Sequence, residues 1–385
     1  MAKRQHRKSD PLKLVVIATL VLAVLSAACY LGGSYLTTMQ KNALLAEQKA
    51  AEERNQALHD AYTIAVAEYE QKLADREGAN EAWPAANGNG WEVVDLTNYP
   101  LENPVEQTMS RQDAMYNGML LVNEWHSRPD DFREDTLVGV SAYSKSLGMK
   151  LGVSSSSVKL FPAAVKALTD CLYDAKQQGY ENYVIYEGYR SYEEQNVMFQ
   201  SAMAKYESRY SGEALIDQAK KDCNYPGTSS YNSGMAFRII LYKSGDKAVN
   251  DKVFFACDEG LWFLNNGWKY GLVHRFPLED YPVSGTQDKS YKTGVSAKLQ
   301  TFSYVGKGNA AAMHILGLCK EEYVEYLMEH PHIAIFEDGK LRYEISREYV
   351  GEEDELTVTY VGKSSVKEAT TSLDNMGYAI TVFEY

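Results

Sequence analysis

The sequence predicts an α+β fold, with helices packed against a small sheet, for the greater part of a 385-residue chain. Three observations carry that prediction. Val158–Gly179 places Leu160, Val165, Leu168, Leu172 and Ala175 at helical spacing and ends on Gly179, a natural C-terminal stop. Tyr183–Tyr186 and Met235–Tyr242 are short runs of β-branched and aromatic residues, which read as strands. Between them, Ser191 and Glu194 stand at capping-box spacing and open a helix over Tyr192–Ser208. A hydrophobic content of 45% and 29 tyrosines fit a folded chain, and the length is enough for a sizeable core.

Residues 1–13 form a basic tail, with Lys3, Arg4, Arg7, Lys8 and Lys13 against Asp10. The whole chain carries −13, so the remainder is more acidic still, which disfavours nucleic acid as a partner. Leu14–Leu31 is uncharged, apolar and near the length needed to cross a bilayer. With the basic flank before it, residues 14–33 read as a signal anchor with a cytoplasmic N-terminus. Cleavage after the small residues Ser26-Ala27-Ala28, or lipidation at Cys29, are the competing readings. The expectation is a single-pass protein of the bacterial cytoplasmic membrane with its C-terminal part outside.

Residues 34–77 lack Pro and Gly and read as a helical stalk. Leu58, Tyr62, Ala65, Tyr69 and Leu73 share one face of it, a stripe suited to homodimerisation. Residues 78–115 read as a linker holding one short strand at Trp91–Asp95, 116–333 as the core, and 334–385 as a small β-rich appendage. In the core, Val253–Gly267 and Asn309–Leu327 read as helices. In the appendage, Leu356–Tyr360 and Ala379–Glu384 read as strands around Val366–Asn375.

Cysteine and histidine offer little chemistry. Cys171, Cys223, Cys257 and Cys319 allow three pairings or four buried thiols, and no C-x-x-C marks a structural zinc. His330-Pro331-His332 reads as a solvated turn, His274 as a residue of the core or a cleft rim, and His126 and His314 stand alone. Ser154–Ser157 is a polar loop without the turn that would activate a serine.

The chemistry-bearing stretch is Tyr225–Ile239. Its Pro226, Gly227, Ser229, Gly234, Ala236 and Ile239 match the pattern P-G-x-S-E-H-x-x-G-x-A-x-D-I. Gly188-Tyr189-Arg190-Ser191 with Gln195 matches G-Y-R-S-x-x-x-Q, and Tyr270-Gly271 through Arg275-Phe276-Pro277 matches Y-G-F-x-x-R-Y-P. In these patterns the chain resembles the VanY-type D-alanyl-D-alanine carboxypeptidases, zinc peptidases of the bacterial cell wall, over about Met119–Glu325. The resemblance implies the D,D-carboxypeptidase fold (hedgehog/D,D-peptidase-like), with a small, mostly antiparallel sheet whose first strand would be Met119–Asn123. It also implies zinc as the family's cofactor, but Tyr231, Arg238 and Thr301 stand at the family's ligand positions and Lys298 at its general base. Tyr304, Val305 and Gly306 hold the last motif in register.

A zinc site needs neutral or anionic ligands and a carboxylate base. The resemblance therefore implies a catalytically dead homologue without cofactor, whose cleft gathers Arg190, Arg238 and Lys298. Arg190 inherits the family's substrate contact, and Arg190, Ser229, Arg238 and Lys298 are the expected ligand-binding residues. A peptidoglycan peptide carboxylate, or another anion, is the expected ligand. Two alternatives stand beside this one. If nearby carboxylates neutralise the cations, the domain is a structural interaction protein. If the altered site retains activity, it is a hydrolase.

Overall fold

In the computed structural model, the described residues are Trp83–Tyr385 together with Lys49, Gln56 and Ile64, which are helical and exposed. The basic tail, the apolar run Leu14–Leu31 and the rest of the expected stalk lie outside them. No helix among the described residues is long and apolar enough to cross a membrane.

Strands are numbered in chain order: β1 (Trp91–Asp95), β2 (Pro104–Ser110), β3 (Val138–Gly139), β4 (Gly152–Val153), β5 (Lys159–Leu160), β6 (Tyr183–Glu187), β7 (Ala236–Leu241), β8 (Leu272–His274), β9 (Thr301–Tyr304), β10 (His332–Glu337), β11 (Lys340–Tyr349), β12 (Glu355–Val361), β13 (Glu368–Leu373) and β14 (Tyr378–Glu384). One sheet has the order β4-β6-β7-β9-β8, antiparallel except for the β4–β6 pair. Helix Pro162–Gln177 covers it. Proline at the helix start loses no hydrogen bond there. The helix begins at Pro162 and not at Val158, so Leu160 of the predicted stripe lies on β5, while Val165, Leu168, Leu172 and Ala175 are buried and join Ile185, Phe237, Ile239 and Phe302 in one core. The capping box of Ser191 and Glu194 is present and opens helix Tyr192–Ala204. This is the α+β arrangement that the sequence predicts.

A second, wholly antiparallel sheet has the order β1-β10-β11-β14-β13, and β2 pairs with β12 in a separate ribbon. Here the structure corrects the expected boundaries. The segment expected as a linker supplies the expected strand Trp91–Asp95 as β1 and, beyond it, β2, because its residues have partners far along the chain. Leu96 is fully buried, and Trp91 and Val93 pack on Tyr323, Ile333 and Ile335. Strand β13 falls in the unassigned Val366–Asn375. Of its buried residues only Leu373 is apolar, beside Thr371 and Ser372, and Thr371 is bonded to Thr381 at 3.0 Å, so it carries little hydrophobic alternation to find.

Other local expectations change as well. Met119–Asn123 forms no strand, although Met119–Val122 is buried. Side chains take the backbone bonds that a ladder would have made: Lys320 Nζ donates to the carbonyls of Gly118 and Leu120, and Asn375 to that of Leu121. Asn309–Leu327 is two helices, Lys307–Leu316 and Lys320–Glu329, broken where Gly317 turns left-handed at φ 66°. The expected helix Val253–Gly267 starts only at Asp258, after a 3₁₀ turn over Phe254–Ala256. His332 is not in a solvated turn. It is fully buried on β10, between the Tyr99 carbonyl and Glu344. Cys171, Cys223, Cys257 and Cys319 are free thiols.

Candidate functional site

Two tight backbone approaches shape the cleft. After β6 the chain must turn against β5, and a Cβ on Gly188 would lie 2.4 Å from the Lys159 carbonyl, so only glycine fits. Gly234 closes the loop before β7 at φ 69°, where a Cβ would lie 2.5 Å from the Phe161 ring. Between Ser229 and Gly234 runs a 3₁₀ turn, and Asn232 donates to the Arg190 carbonyl at 2.7 Å, joining the two motif loops.

The register puts Glu187, Arg238 and Thr301 in one row across β6, β7 and β9. The Tyr231 and Thr301 hydroxyls are hydrogen bonded to each other at 2.9 Å, and both residues are buried. Burial pushes the Tyr231 phenol up to about 12, although the Thr301 bond, Arg190 and Arg238 all pull it down. Arg190 lies over the Tyr231 ring, 4.8 Å from its centroid, donates to Gln195 at 2.6 Å and pairs with Glu187. Arg238 is exposed above the Tyr186 ring at 4.9 Å, and Lys298 is exposed above Tyr281 at 5.7 Å. Burial also lifts the Tyr281 phenol to about 12, against the pull of Arg238. Arg238 and Lys298 therefore both act on Tyr281, and neither has an ion-pair partner among the described residues.

The structure thus brings five of the predicted residues together and gives them unequal roles. Arg190 is neutralised by Glu187, so two free cations remain where the sequence led to an expectation of three. Ser229 is 3% exposed and accepts from the Tyr231 backbone N–H at 3.4 Å, so it caps the turn instead of facing a ligand. Glu187, Tyr186 and Tyr281 were missed as site residues, and Gln195 was read only as part of a motif. Glu187 was legible in principle, because it lies three residues before Arg190 across a two-residue turn.

Behind the loop lies a buried ion pair. Arg275 and Glu321, 2% and 6% exposed, form two parallel hydrogen bonds of 2.8 and 2.5 Å. Arg275 also donates to Ser230 Oγ at 3.2 Å, and Asn123 donates to Glu321 at 3.0 Å. Burial would raise the Glu321 carboxyl, but Arg275 and the hydrogen bonds hold it below its ordinary value.

His274 belongs to the core beneath the rim, packed on Phe255, Tyr281 and Phe302. Its Nε2–H donates to the Leu299 carbonyl at 3.0 Å, while Nδ1 is buried without a partner. Burial first, and then the nearby Arg275 charge, lower its pKa to about 4. Between pH 6.5 and 4 the unfolded chain therefore binds the proton that the fold refuses, so stability falls as pH drops through that window. A His274→Phe variant should show a flatter stability profile from pH 6.5 to 4 in denaturant titrations. An unchanged profile would remove His274 as the cause.

Zinc does not fit these residues. A phenol bonded to a hydroxyl, a guanidinium and an ammonium offer none of the imidazole, thiolate or carboxylate donors that zinc takes. Among the described residues, no three His, Cys, Asp or Glu side chains are grouped to hold a metal.

Residues 157–306 match the profile of the VanY family, described as D-alanyl-D-alanine carboxypeptidase. A protein of that name from Enterococcus faecium is 25% identical over 244 residues, 63% of this chain and 69% of the relative. Another from Enterococcus faecalis is 25% identical over 228 residues, 58% of this chain and 73% of the relative. The solved structure of the vancomycin-resistance D,D-dipeptidase VanXYg, in complex with a D-Ala-D-Ala phosphinate analogue, is similar in fold. Its TM-score is 0.52 at 20% identity, covering 73% of this chain and 99% of that one.

Proposed function

Since the chain belongs, through residues 157–306, to the VanY-type D-alanyl-D-alanine carboxypeptidase family, we propose that it binds a peptidoglycan stem-peptide carboxylate and does not hydrolyse it. The observation that carries this reading is the contrast within the cleft. The Tyr231–Thr301 bond closes two of the family's ligand positions, while Arg238 and Lys298 stand exposed and unpaired at the third and at the base. Without a dication or a carboxylate base, no water is activated there, and two cations flanking Tyr281 suit an anion. The membrane attachment and outward orientation form part of the same proposal and rest on the basic tail and the apolar run Leu14–Leu31.

Calorimetric titration with a stem peptide ending in D-Ala-D-Ala tests the reading, alongside elemental analysis and an assay for released D-alanine. Binding without zinc and without release is expected. One tightly held zinc per chain, or released D-alanine, would falsify the inactive reading.

The Glu187–Arg190 pair favours a second reading, a scaffold whose cleft is satisfied internally. Glu187→Gln separates the two. It keeps the shape but frees the Arg190 charge for the ligand, so affinity for the peptide should rise about tenfold. If neither the wild type nor this variant binds, the scaffold reading replaces the first.

A further inference from the structure

A cavity of about 240 Å³, lined by none of these residues, lies where helix Pro162–Gln177, the start of helix Lys307–Leu316 and the β13–β14 edge of the second sheet meet. We infer that this cavity is a saccharide site, taking one neutral pyranose ring.

The inference rests on what the wall offers and what it has already used. Its cations are paired, Lys166 with Asp170 at 2.7 Å and Lys307 with Glu384 at 3.9 Å. The Glu368 carboxylate is exposed and has no ion pair among the described residues. Tyr304 and Tyr343 both line the cavity, and neither hydroxyl has a hydrogen-bond partner among the described residues. A free carboxylate accepts two hydroxyls, and a phenol both donates and accepts. Beside them the tyrosine rings, Ala163, Ala167 and Val382 give an apolar surface.

A ligand with a C–H face and an edge of hydroxyls matches that wall. Glu368 opposes a carboxylate or phosphate, and Lys166 and Lys307, already paired, offer an anion nothing, so a neutral ring is preferred to an acidic one and an ammonium sugar is the rival that the glucosamine control tests. The volume suits one ring and not a folded peptide, and junctions between packed layers are ordinary places for such sites.

Saturation-transfer NMR on the full-length protein with methyl glucoside and methyl N-acetylglucosaminide tests this, with glucuronate and glucosamine as charged controls. Transfer from a neutral glycoside at millimolar affinity is expected. Glu368→Ala should weaken it about fivefold or more, and Thr370→Trp, which fills the mouth, should abolish it. Both changes are on a surface edge strand, and an unchanged thermal midpoint confirms that the variants are folded. No transfer from either glycoside, stronger transfer from a charged control, or equal binding by wild type and Thr370→Trp would overturn the inference. Peptide binding at Arg238 and Lys298 has no part in any of these outcomes.

Discussion

Glu321→Ala should lose about 3–5 kcal/mol of stability in urea titrations, because it strands the buried Arg275 charge. The loss is large because the two residues are not a surface pair, whose removal would cost only about 0–1 kcal/mol. Arg275 would keep its bond to Ser230 but lose two charged hydrogen bonds in a site closed to water. The same change should reach the cleft, since Ser230 precedes Tyr231 and the pair fixes their loop from behind. Arg275→Met combined with Glu321→Leu should recover most of the loss by removing both charges. A loss below about 1 kcal/mol in the single variant would show that water reaches the pair.

Replacing both Arg238 and Lys298 by alanine should weaken stem-peptide binding about a hundredfold or more. Each charged hydrogen bond to the peptide carboxylate is worth roughly 1.5–3 kcal/mol. Both side chains are exposed and rest on tyrosine faces, so the thermal midpoint should hardly move. Wild-type binding should fall as salt rises, and that dependence should shrink in the double variant. If the double variant binds peptide as the wild type does, the anion is held elsewhere, and Arg190 becomes the residue to test.

The helix over the first sheet and the strands beside it were legible because their apolar residues repeat with a clear period. The capping box was legible because its two residues lie three apart. What failed to show was long-range. Trp91–Asp95 read as a short strand but stood in an expected linker, because its partners, His332–Glu337, come more than two hundred residues later. Glu187 went unnoticed because its meaning depends on which guanidinium the turn brings to it. Arg190 is the instructive case. Its motif located the residue correctly, but the motif could not show that a carboxylate from the same chain already holds the charge. Tyr231 and Thr301, seventy residues apart, each looked only like a poor metal ligand, and their mutual hydrogen bond is a property of the folded pair.

The order of the second sheet bears on how the chain can be recut. Trp91 opens β1 opposite Glu337, at the end of β10, and Glu384 closes β14 opposite Tyr343, near the start of β11. The first strand therefore begins and the last strand ends on the same side of the sheet, three strand spacings or about 14 Å apart. A short flexible bridge can join Tyr385 to Trp91 without breaking a single ladder, and a circularly permuted gene can begin instead at an exposed loop such as the one around Gly285. A clone trimmed to 116–333 does the opposite, since it discards β1, β11 and most of β10 and strips the cover from Ile333 and Tyr323.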